Sequence, residues 1–152
     1  MLDGLTVLVV EDDFLVAFEI AESVTMAGGF VLGPVPSVHE ALALIETQLF
    51  DAAILDANLS DRNITPVLTI LLARDIPLVL HTGSGVPVEM QAQKDLIAVV
   101  KKPAAPETVL AVLSRRLAED AHPQHSIPDR GLNREMPTEA ELPTLVKRIA
   151  AA

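Results

Sequence analysis

The most constraining feature of this sequence is a series of five short apolar runs that alternate with stretches of helical periodicity. The runs are short and rich in valine, leucine and isoleucine, which is typical of strands buried on both faces of a parallel sheet. They cover residues 6–10, 30–32, 52–55, 77–80 and 97–100. The predicted helices cover residues 14–27, 37–49, 65–74, 88–94 and 106–118.

This alternation predicts an α/β fold. Strands that alternate with helices pair in parallel, and right-handed crossovers place the helices on both faces of the sheet. We therefore expect a doubly wound, five-stranded parallel sheet of the flavodoxin-like type, a (βα)5 three-layer sandwich. Residues 1–120 are assigned to this domain.

Residues 121–152 differ from the rest of the chain and are predicted to form a C-terminal tail. Prolines punctuate a polar stretch at Pro123, Pro128, Pro137 and Pro143. Apolar residues near the end recur at a spacing that suits a short amphipathic helix, at Leu142, Leu145, Val146 and Ile149. Because so short a helix is marginal alone, we expect it to dock on a surface.

Composition restricts the compartment and the partners. The chain has no cysteine, which excludes disulfides and thiolate chemistry and fits a cytoplasmic protein. The net charge of −10 lies in residues 1–120 without a basic stripe, which argues against binding to nucleic acid. No apolar run approaches the length of a membrane span, and no secretory signal follows Met1, so no membrane association is expected.

Chemically distinctive residues stand at the ends of the apolar runs. Glu11 and Asp12 follow the first run, Asp56 the third, Thr82 the fourth and Lys102 the fifth. The carboxyl ends of parallel strands lie at one edge of the sheet, so these side chains should converge. Clustered carboxylates repel one another unless a cation neutralises them, and such oxygen ligands suit Mg²⁺. A carboxylate nucleophile, a metal, a hydroxyl and an ammonium together indicate phosphoryl transfer onto Asp56.

Each of these residues also has an ordinary structural explanation. Asp56 could simply begin a solvated loop, while Glu11 and Asp12 could form an acidic first turn that the helix dipole favours. Asp13 is given that structural role, as the N-cap of the first helix. His81 is expected to be a loop side chain beside the site rather than a base.

Together, the strand-end motifs resemble a known family. Residues 5–118 are similar to the receiver domain of two-component response regulators, of the CheY-like superfamily. The matching segments are Val9-Val10-Glu11-Asp12, Ile54-Leu55-Asp56-Ala57-Asn58-Leu59, Thr82-Gly83 and Lys102-Pro103, in the order and at the spacing of that family.

The resemblance implies a role for each matching residue. Asp56 would be the phosphoacceptor, and its donor would be a histidine kinase or a histidine phosphotransfer protein. Thr82 and Lys102 would contact the phosphoryl group, and the peptide bond between Lys102 and Pro103 would be cis. The implied ligands of Mg²⁺ are Glu11, Asp12, Asp56 and the backbone carbonyl of Asn58.

The implied protein is a single-domain response regulator that signals by protein contacts, because the tail is too short for a DNA-binding module. Its only chemistry would be self-phosphorylation and self-dephosphorylation, so it is not expected to be an enzyme. A homodimer is also compatible with this interpretation. An aspartyl-phosphate phosphatase is a disfavoured alternative, since Asn58 stands where such an enzyme has a second aspartate.

Two positions depart from the pattern of the family. Val99 replaces the aromatic residue that commonly acts as a switch, and Gly83 replaces the usual alanine. Residues 77–84 are similar to a subgroup of alphaproteobacterial stand-alone receivers with Pro-Phe-x-Phe-Ala-Thr-Gly-Tyr there, although only Pro77, Thr82 and Gly83 match. The missing aromatic motivates an alternative, a degenerate receiver that acts as a binding module independent of phosphorylation.

Overall fold

Five parallel strands alternate with helices in this computed structural model, which describes residues 1–121. The strands are β1 (Thr6–Val10), β2 (Phe30–Val35), β3 (Ala52–Leu55), β4 (Leu78–Thr82) and β5 (Ala98–Lys101). The α-helices are α1 (Phe14–Met26), α2 (Val38–Thr47), α3 (Thr65–Ala73) and α4 (Pro106–Ala121), and a 3-10 helix spans Val88–Leu96. The strand order β2-β1-β3-β4-β5 confirms the predicted doubly wound, flavodoxin-like sheet.

The sheet separates two apolar layers. On one face, side chains of β1 and β3 such as Val9 and Ile54 pack with Ile20 of α1 and Leu113 of α4. On the other face, neighbouring strand residues pack against α2, α3 and the 3-10 helix. All four residues of β3 are buried, which explains why this run is apolar without alternation. Burial of aliphatic side chains on both faces is therefore the main source of stability.

Side-chain caps begin the first two helices where the sequence predicts them. The carboxylate of Asp13 accepts hydrogen bonds from the N–H groups of Leu15 and Val16, which confirms it as the N-cap of α1. The hydroxyl of Ser37 accepts from the N–H of Glu40 and caps α2. These caps satisfy backbone donors that the first helical turn leaves unpaired.

Thr65 followed by Pro66 is a pattern that predicts a helix N-cap at Thr65, and this prediction is wrong. Thr65 is the first residue of α3, and Ile64 occupies the cap position without a side-chain hydrogen bond. The side chain of Asn63 accepts from the N–H of Thr65 instead. The amide oxygen two residues earlier therefore provides the capping interaction that the sequence pattern assigned to the hydroxyl.

Strand β2 is longer than predicted. It continues through Gly33 and Pro34 to Val35, with a cis peptide bond between the glycine and the proline. The register between β1 and β2 shifts at this point, and the carbonyl of Val35 accepts from the N–H of Glu11. Because β2 is an edge strand, it accommodates a proline that cannot donate to the ladder.

Two elements in the second half of the domain also differ from prediction. The predicted α-helix at 88–94 is a 3-10 helix, Val88–Leu96, which buries only Met90 and so has little apolar packing to stabilise it. Strand β4 extends to Thr82, beyond the predicted end at residue 80. The strand therefore includes His81, which was expected in a loop.

The predicted tail, residues 121–152, falls almost wholly outside the described residues, as does the amphipathic pattern at 142–149. Within residues 1–121, none of the helices is long and apolar enough to cross a membrane.

We predict that Asp61→Asn destabilises the fold in a pH-dependent way. The carboxylate of Asp61 accepts from the N–H groups of Val38 and His39 at the start of α2, and these backbone bonds lower its pKa below the ordinary 3.8. A lowered pKa contributes stability above the ordinary value, and this stability is lost as the pH falls through the lowered pKa. The melting temperature of the variant should therefore lie below that of the parent at neutral pH, with the difference shrinking in acid.

Thermal unfolding followed by circular dichroism tests this expectation. The matched control is Asp95→Asn, which removes a charge from an exposed position in the 3-10 helix. Equal melting temperatures for Asp61→Asn and the parent at neutral pH would contradict the capping role.

Candidate functional site

Three strands deliver charged side chains to the carboxyl edge of the sheet. Glu11 follows β1, Asp56 follows β3 and Lys102 follows β5. The pairing of Val10 with Leu55 sets the first two side by side, and the N–H of Asp56 donates to the carbonyl of Val10 at 2.9 Å. The predicted convergence of these residues at one edge is therefore present.

The carboxylates of this edge form an acidic cluster. Oxygens of Glu11, Asp12 and Asp56 all lie within 4.8 Å of one another. Glu11 and Asp56 are buried, whereas Asp12 is exposed, so the cluster opens to solvent on one side. Such a group of carboxylates is electrostatically unfavourable unless a cation offsets its charge.

The ammonium of Lys102 provides part of this charge. Its Nζ lies 2.7 Å from Glu11 Oε2 and 3.0 Å from Asp56 Oδ2. Burial alone would lower the pKa of Lys102, but the hydrogen bonds to these two carboxylates and their negative charges outweigh burial and raise it. The ammonium therefore stays protonated and joins the two buried carboxylates.

Glu11 is the most perturbed acid of the site. Burial raises its pKa from 4.5 to about 7, and the nearby charge of Asp56 acts in the same direction. Hydrogen bonds from Lys102 and from the N–H of Asp13 oppose the rise without cancelling it. Perturbed acids of this kind are concentrated at functional sites.

The donor set fits a hard divalent cation such as Mg²⁺. The three carboxylates supply closely spaced oxygens, and the exposed side of Asp12 leaves room for retained waters. The carbonyl of Asn58 accepts no hydrogen bond from residues 1–121, so this oxygen is also available as a ligand. Of the predicted ligands, the structure brings the three carboxylates together and leaves the fourth oxygen unpaired.

The hydroxyl of Thr82 forms hydrogen bonds with a neighbouring serine. Ser84 donates its N–H to Thr82 Oγ1, and the two hydroxyls lie 3.2 Å apart. The hydroxyl of Ser84 also accepts from the side-chain amide of Asn58. In residues 1–121 no hydrogen bond joins the Thr82 hydroxyl to Asp56, the predicted phosphoacceptor.

The reasoning from sequence did not single out Ser84. A hydroxyl residue two positions after Thr82 is well placed for a local hydrogen bond to that side chain or its backbone, and this was the available signal. The contact between Ser84 and Asn58 depends on how two separate loops approach each other. No spacing in the sequence indicates that approach.

His81 is not the loop side chain that the sequence suggested. It lies in β4, whose five residues are all buried, and strand alternation turns it to the opposite face from Thr82. Neither ring nitrogen has a hydrogen-bond partner in the described part of the chain, and burial, reinforced by the charge of Lys102, lowers its pKa. The ring is therefore a neutral side chain beneath α1 and α4.

Val99 stands at the position where the family commonly has an aromatic switch residue. It lies in the edge strand β5 and is 42% exposed. A small aliphatic side chain at this position has no large ring to move between buried and exposed states. Strand β5 therefore provides no aromatic switch at this position.

We predict that Glu11→Gln stabilises the metal-free protein above neutral pH. The raised pKa of Glu11 means that the folded state holds a proton that the unfolded state releases between pH 4.5 and about 7. Glu11 therefore makes its full contribution to the free energy of unfolding below pH 4.5, and this contribution falls as the pH rises to about 7. Glutamine keeps the acceptor for Lys102 without titrating, so the variant should gain up to about 3 kcal/mol at alkaline pH.

Urea unfolding in the presence of a chelator, repeated from about pH 5 to pH 8, measures this gain. Glu19→Gln, an exposed position of α1, is the matched control. If the unfolding free energies of Glu11→Gln and the parent ran parallel across this range, the assigned protonation would be wrong.

Comparison with known proteins identifies the fold. No protein-family model and no curated protein matches the chain. The solution structure of SdrG from Sphingomonas melonis Fr1 is 34% identical, with 73% of this chain and 97% of that chain covered and a TM-score of 0.60. The chemotaxis response regulator CheY4 of Vibrio cholerae is 25% identical, with 74% and 98% covered and a TM-score of 0.63.

A third structure shares the fold and contains a metal. The receiver domain of the sensor histidine kinase PA1611 from Pseudomonas aeruginosa has a magnesium ion coordinated in its active site cleft. It is 21% identical to this chain, with 76% of this chain and 98% of that chain covered and a TM-score of 0.64. With its sheet order, its acidic cluster and these structural neighbours, the chain belongs to the CheY-like receiver-domain family of response regulators.

Proposed function

We propose that this protein is a single-domain response regulator that accepts a phosphoryl group on Asp56 in a Mg²⁺-dependent reaction. The observation that carries the proposal is the position of Lys102, whose ammonium lies within 3.0 Å of both Glu11 and Asp56 beside a third carboxylate. Nucleophile, ammonium and metal ligands are the groups that phosphoryl transfer requires.

In the proposed reaction, a carboxylate oxygen of Asp56 attacks the phosphorus of a phosphohistidine. The new O–P bond forms as the N–P bond breaks, and the imidazole of the donor leaves with the electron pair of that bond. Lys102 already contacts Asp56 and would attract an oxygen of the phosphoryl group. Bound Mg²⁺ would offset the negative charge of the carboxylates and of the phosphoryl oxygens. Hydrolysis by water would later regenerate the free carboxylate.

The metal ligands in this proposal are Glu11, Asp12, Asp56 and the backbone carbonyl of Asn58. The magnesium-containing receiver domain of the PA1611 kinase supports this choice of metal. Binding of the cation requires Glu11 to lose its proton, so Mg²⁺ should bind more weakly as the pH falls below about 7.

Thr82 would transmit the effect of phosphorylation at Asp56 to the surface of the protein. A phosphoryl oxygen near Asp56 offers a new acceptor for the Thr82 hydroxyl, which now faces Ser84. If Thr82 turned toward it, Ser84 would lose a partner and residues 83–87 would rearrange. Gly83 has open space around its Cα, so the loop can move without a steric clash at this point.

The proposed partners and compartment follow from this reaction. The donor is a histidine kinase or a histidine phosphotransfer protein, and the output is a protein contact rather than DNA binding. We place the protein in the cytoplasm, where both donors act. It has no catalytic role beyond its own phosphorylation and dephosphorylation.

We predict that acetyl phosphate with Mg²⁺ increases the intact mass of the protein by one phosphoryl group and that Asp56→Asn abolishes this increase. The amide of asparagine cannot form an acyl phosphate in this way. Intact-mass spectrometry measures the product directly. Asp51→Asn is the matched control, because Asp51 is exposed and accepts from the N–H of Thr6 away from the cluster. A chain that gains no mass with any phosphohistidine or small phosphodonor would refute the proposal.

A second candidate is a degenerate receiver that acts as a phosphorylation-independent binding module. The small side chain of Val99 favours it, because the common aromatic switch is missing. A titration with Mg²⁺ followed by ¹H–¹⁵N NMR discriminates between the two candidates.

We predict that Mg²⁺ causes saturable shifts of the amides of Asp12, Asp56 and Asn58. Asp12→Asn should weaken this response because it removes one of the clustered carboxylates. Asp13→Asn is the matched control, since asparagine also serves as an N-cap and Asp13 lies outside the cluster. Spectra that do not change with Mg²⁺ would favour the degenerate module.

A further inference from the structure

Helix α1 presents an apolar surface to solvent. Phe14, Phe18, Glu22 and Met26 follow one another at four-residue spacing and therefore line the same side of the helix. The exposed fractions of the three apolar side chains are 84%, 55% and 83%. The chain has only four phenylalanines, so two of them on one exposed helix surface indicate a contact that residues 1–121 do not supply.

A groove lies beside this surface. It has a volume of about 430 Å³ and is enclosed by α1 on one side and by the end of β2 on the other. Small residues of α1 let another chain approach, while phenylalanine and proline rings form the walls. The apolar lining residues are Phe14, Ala17, Phe18, Ala21, Pro34 and Pro36, and at one end the acids Glu11 and Asp12 complete the lining. We call this the α1 groove.

We propose that the α1 groove binds the C-terminal segment of the same chain, residues 142–149. This segment supplies apolar side chains that recur on one side at helical spacing, Leu142, Leu145, Val146 and Ile149. An amphipathic segment and a groove with an apolar lining are complementary in the way that helix-in-groove complexes are.

Charge complementarity supports this occupant. Helix α1 exposes the carboxylate of Glu22 between Phe18 and Met26, and two further acids, Glu11 and Asp12, line the groove itself. The segment from 143 to 152 contains Lys147 and Arg148 and no acidic residue. Opposite charges at the rim of an apolar contact favour one orientation and one partner.

Residues 122–141, which connect α4 to the C-terminal segment, are long enough for this segment to reach the groove of its own chain. Helix α4 packs beside α1, and both helices run back from the carboxyl edge of the sheet, so Ala121 ends at the same side as Met26. Helix α1 is about 20 Å long. Residues 122–141 can span roughly 60 Å when extended, which covers that distance with slack. A tethered segment has an effective concentration of about 1 mM or more, so even a weak contact would be occupied.

A nitroxide label on the full chain tests this proposal. The chain has no cysteine, so Ala151→Cys gives a single labelling site in the C-terminal segment. We expect the oxidised label to broaden the backbone amide signals of Phe14, Phe18 and Ala21 in ¹H–¹⁵N spectra. The amide of Thr69 in α3, on the opposite face of the sheet, should keep its intensity. Uniform intensities in α1 would overturn the proposal.

Matched variants separate docking from proximity. In the labelled chain, Leu145→Ser with Ile149→Ser should restore the α1 signals, whereas Thr144→Ser should not. Phe18→Ser should also restore them, while Phe30→Ser, an exposed phenylalanine outside the groove, should not. Broadening that persists in both restoring variants would overturn the proposal. The unchanged positions of the other amides in each spectrum report that the variant is folded.

Charge reversal tests the orientation. Lys147→Glu with Arg148→Glu should restore the α1 signals, and adding Glu22→Lys should bring part of the broadening back. Failure of Glu22→Lys to do so would contradict the charge complementarity between the segment and α1. The effect should weaken with added salt, because these charges are exposed.

A mixed sample distinguishes contact within one chain from contact between two copies of the chain. Unlabelled ¹⁵N protein is combined with ¹⁴N protein that carries the nitroxide. Full α1 intensity in this mixture supports contact within one chain. Broadening in the mixture would assign the groove to a second copy and overturn the proposal. Because neither phosphate nor Mg²⁺ enters these measurements, their outcome is independent of phosphorylation at Asp56.

Discussion

The site depends on one electrostatic constraint, the close approach of three carboxylates at the end of a buried sheet. Two unit charges about 5 Å apart repel by on the order of 3 kcal/mol at the effective dielectric of a protein surface. The ammonium of Lys102 offsets part of this repulsion, and the raised pKa of Glu11 relieves another part by keeping a proton. A divalent cation bound by the three carboxylates would offset the same repulsion. The apolar layers on either side of β1 and β3 hold the acids in place.

The geometry of a parallel sheet explains why so much of this site could be predicted. The strand ends that form the site can be recognised in the sequence because their apolar runs stop at polar residues, and parallel pairing brings those ends to one edge. Asp56 and Glu11 therefore meet through the direct pairing of β1 with β3. Lys102 comes from β5, which β4 separates from β3, and its long side chain crosses this distance. Strand order and side-chain length together place all three.

The elements that sequence reasoning misplaced depend on contacts between distant parts of the chain. Gly33 and Pro34 ordinarily end a strand, but pairing of Val35 with the N–H of Glu11 extends β2 past them. The burial of His81 follows from the length of β4, which its pairing with β5 determines. The 3-10 form of residues 88–96 reflects weak packing rather than a local signal. Propensity has little weight where such tertiary contacts decide.

Side-chain hydrogen bonds link Thr82 to the loop that follows Asp56. Thr82 contacts Ser84, and Ser84 contacts Asn58, whose own N–H points to Asp56 at 3.4 Å. The loop after β3 and the loop after β4 are therefore joined by side chains that begin at the acidic cluster. Asn63 extends the connection to Glu89 in the 3-10 helix. Because that helix buries only Met90, few apolar contacts hold its position, whereas β5 carries only the small side chain of Val99 where the family commonly has an aromatic residue.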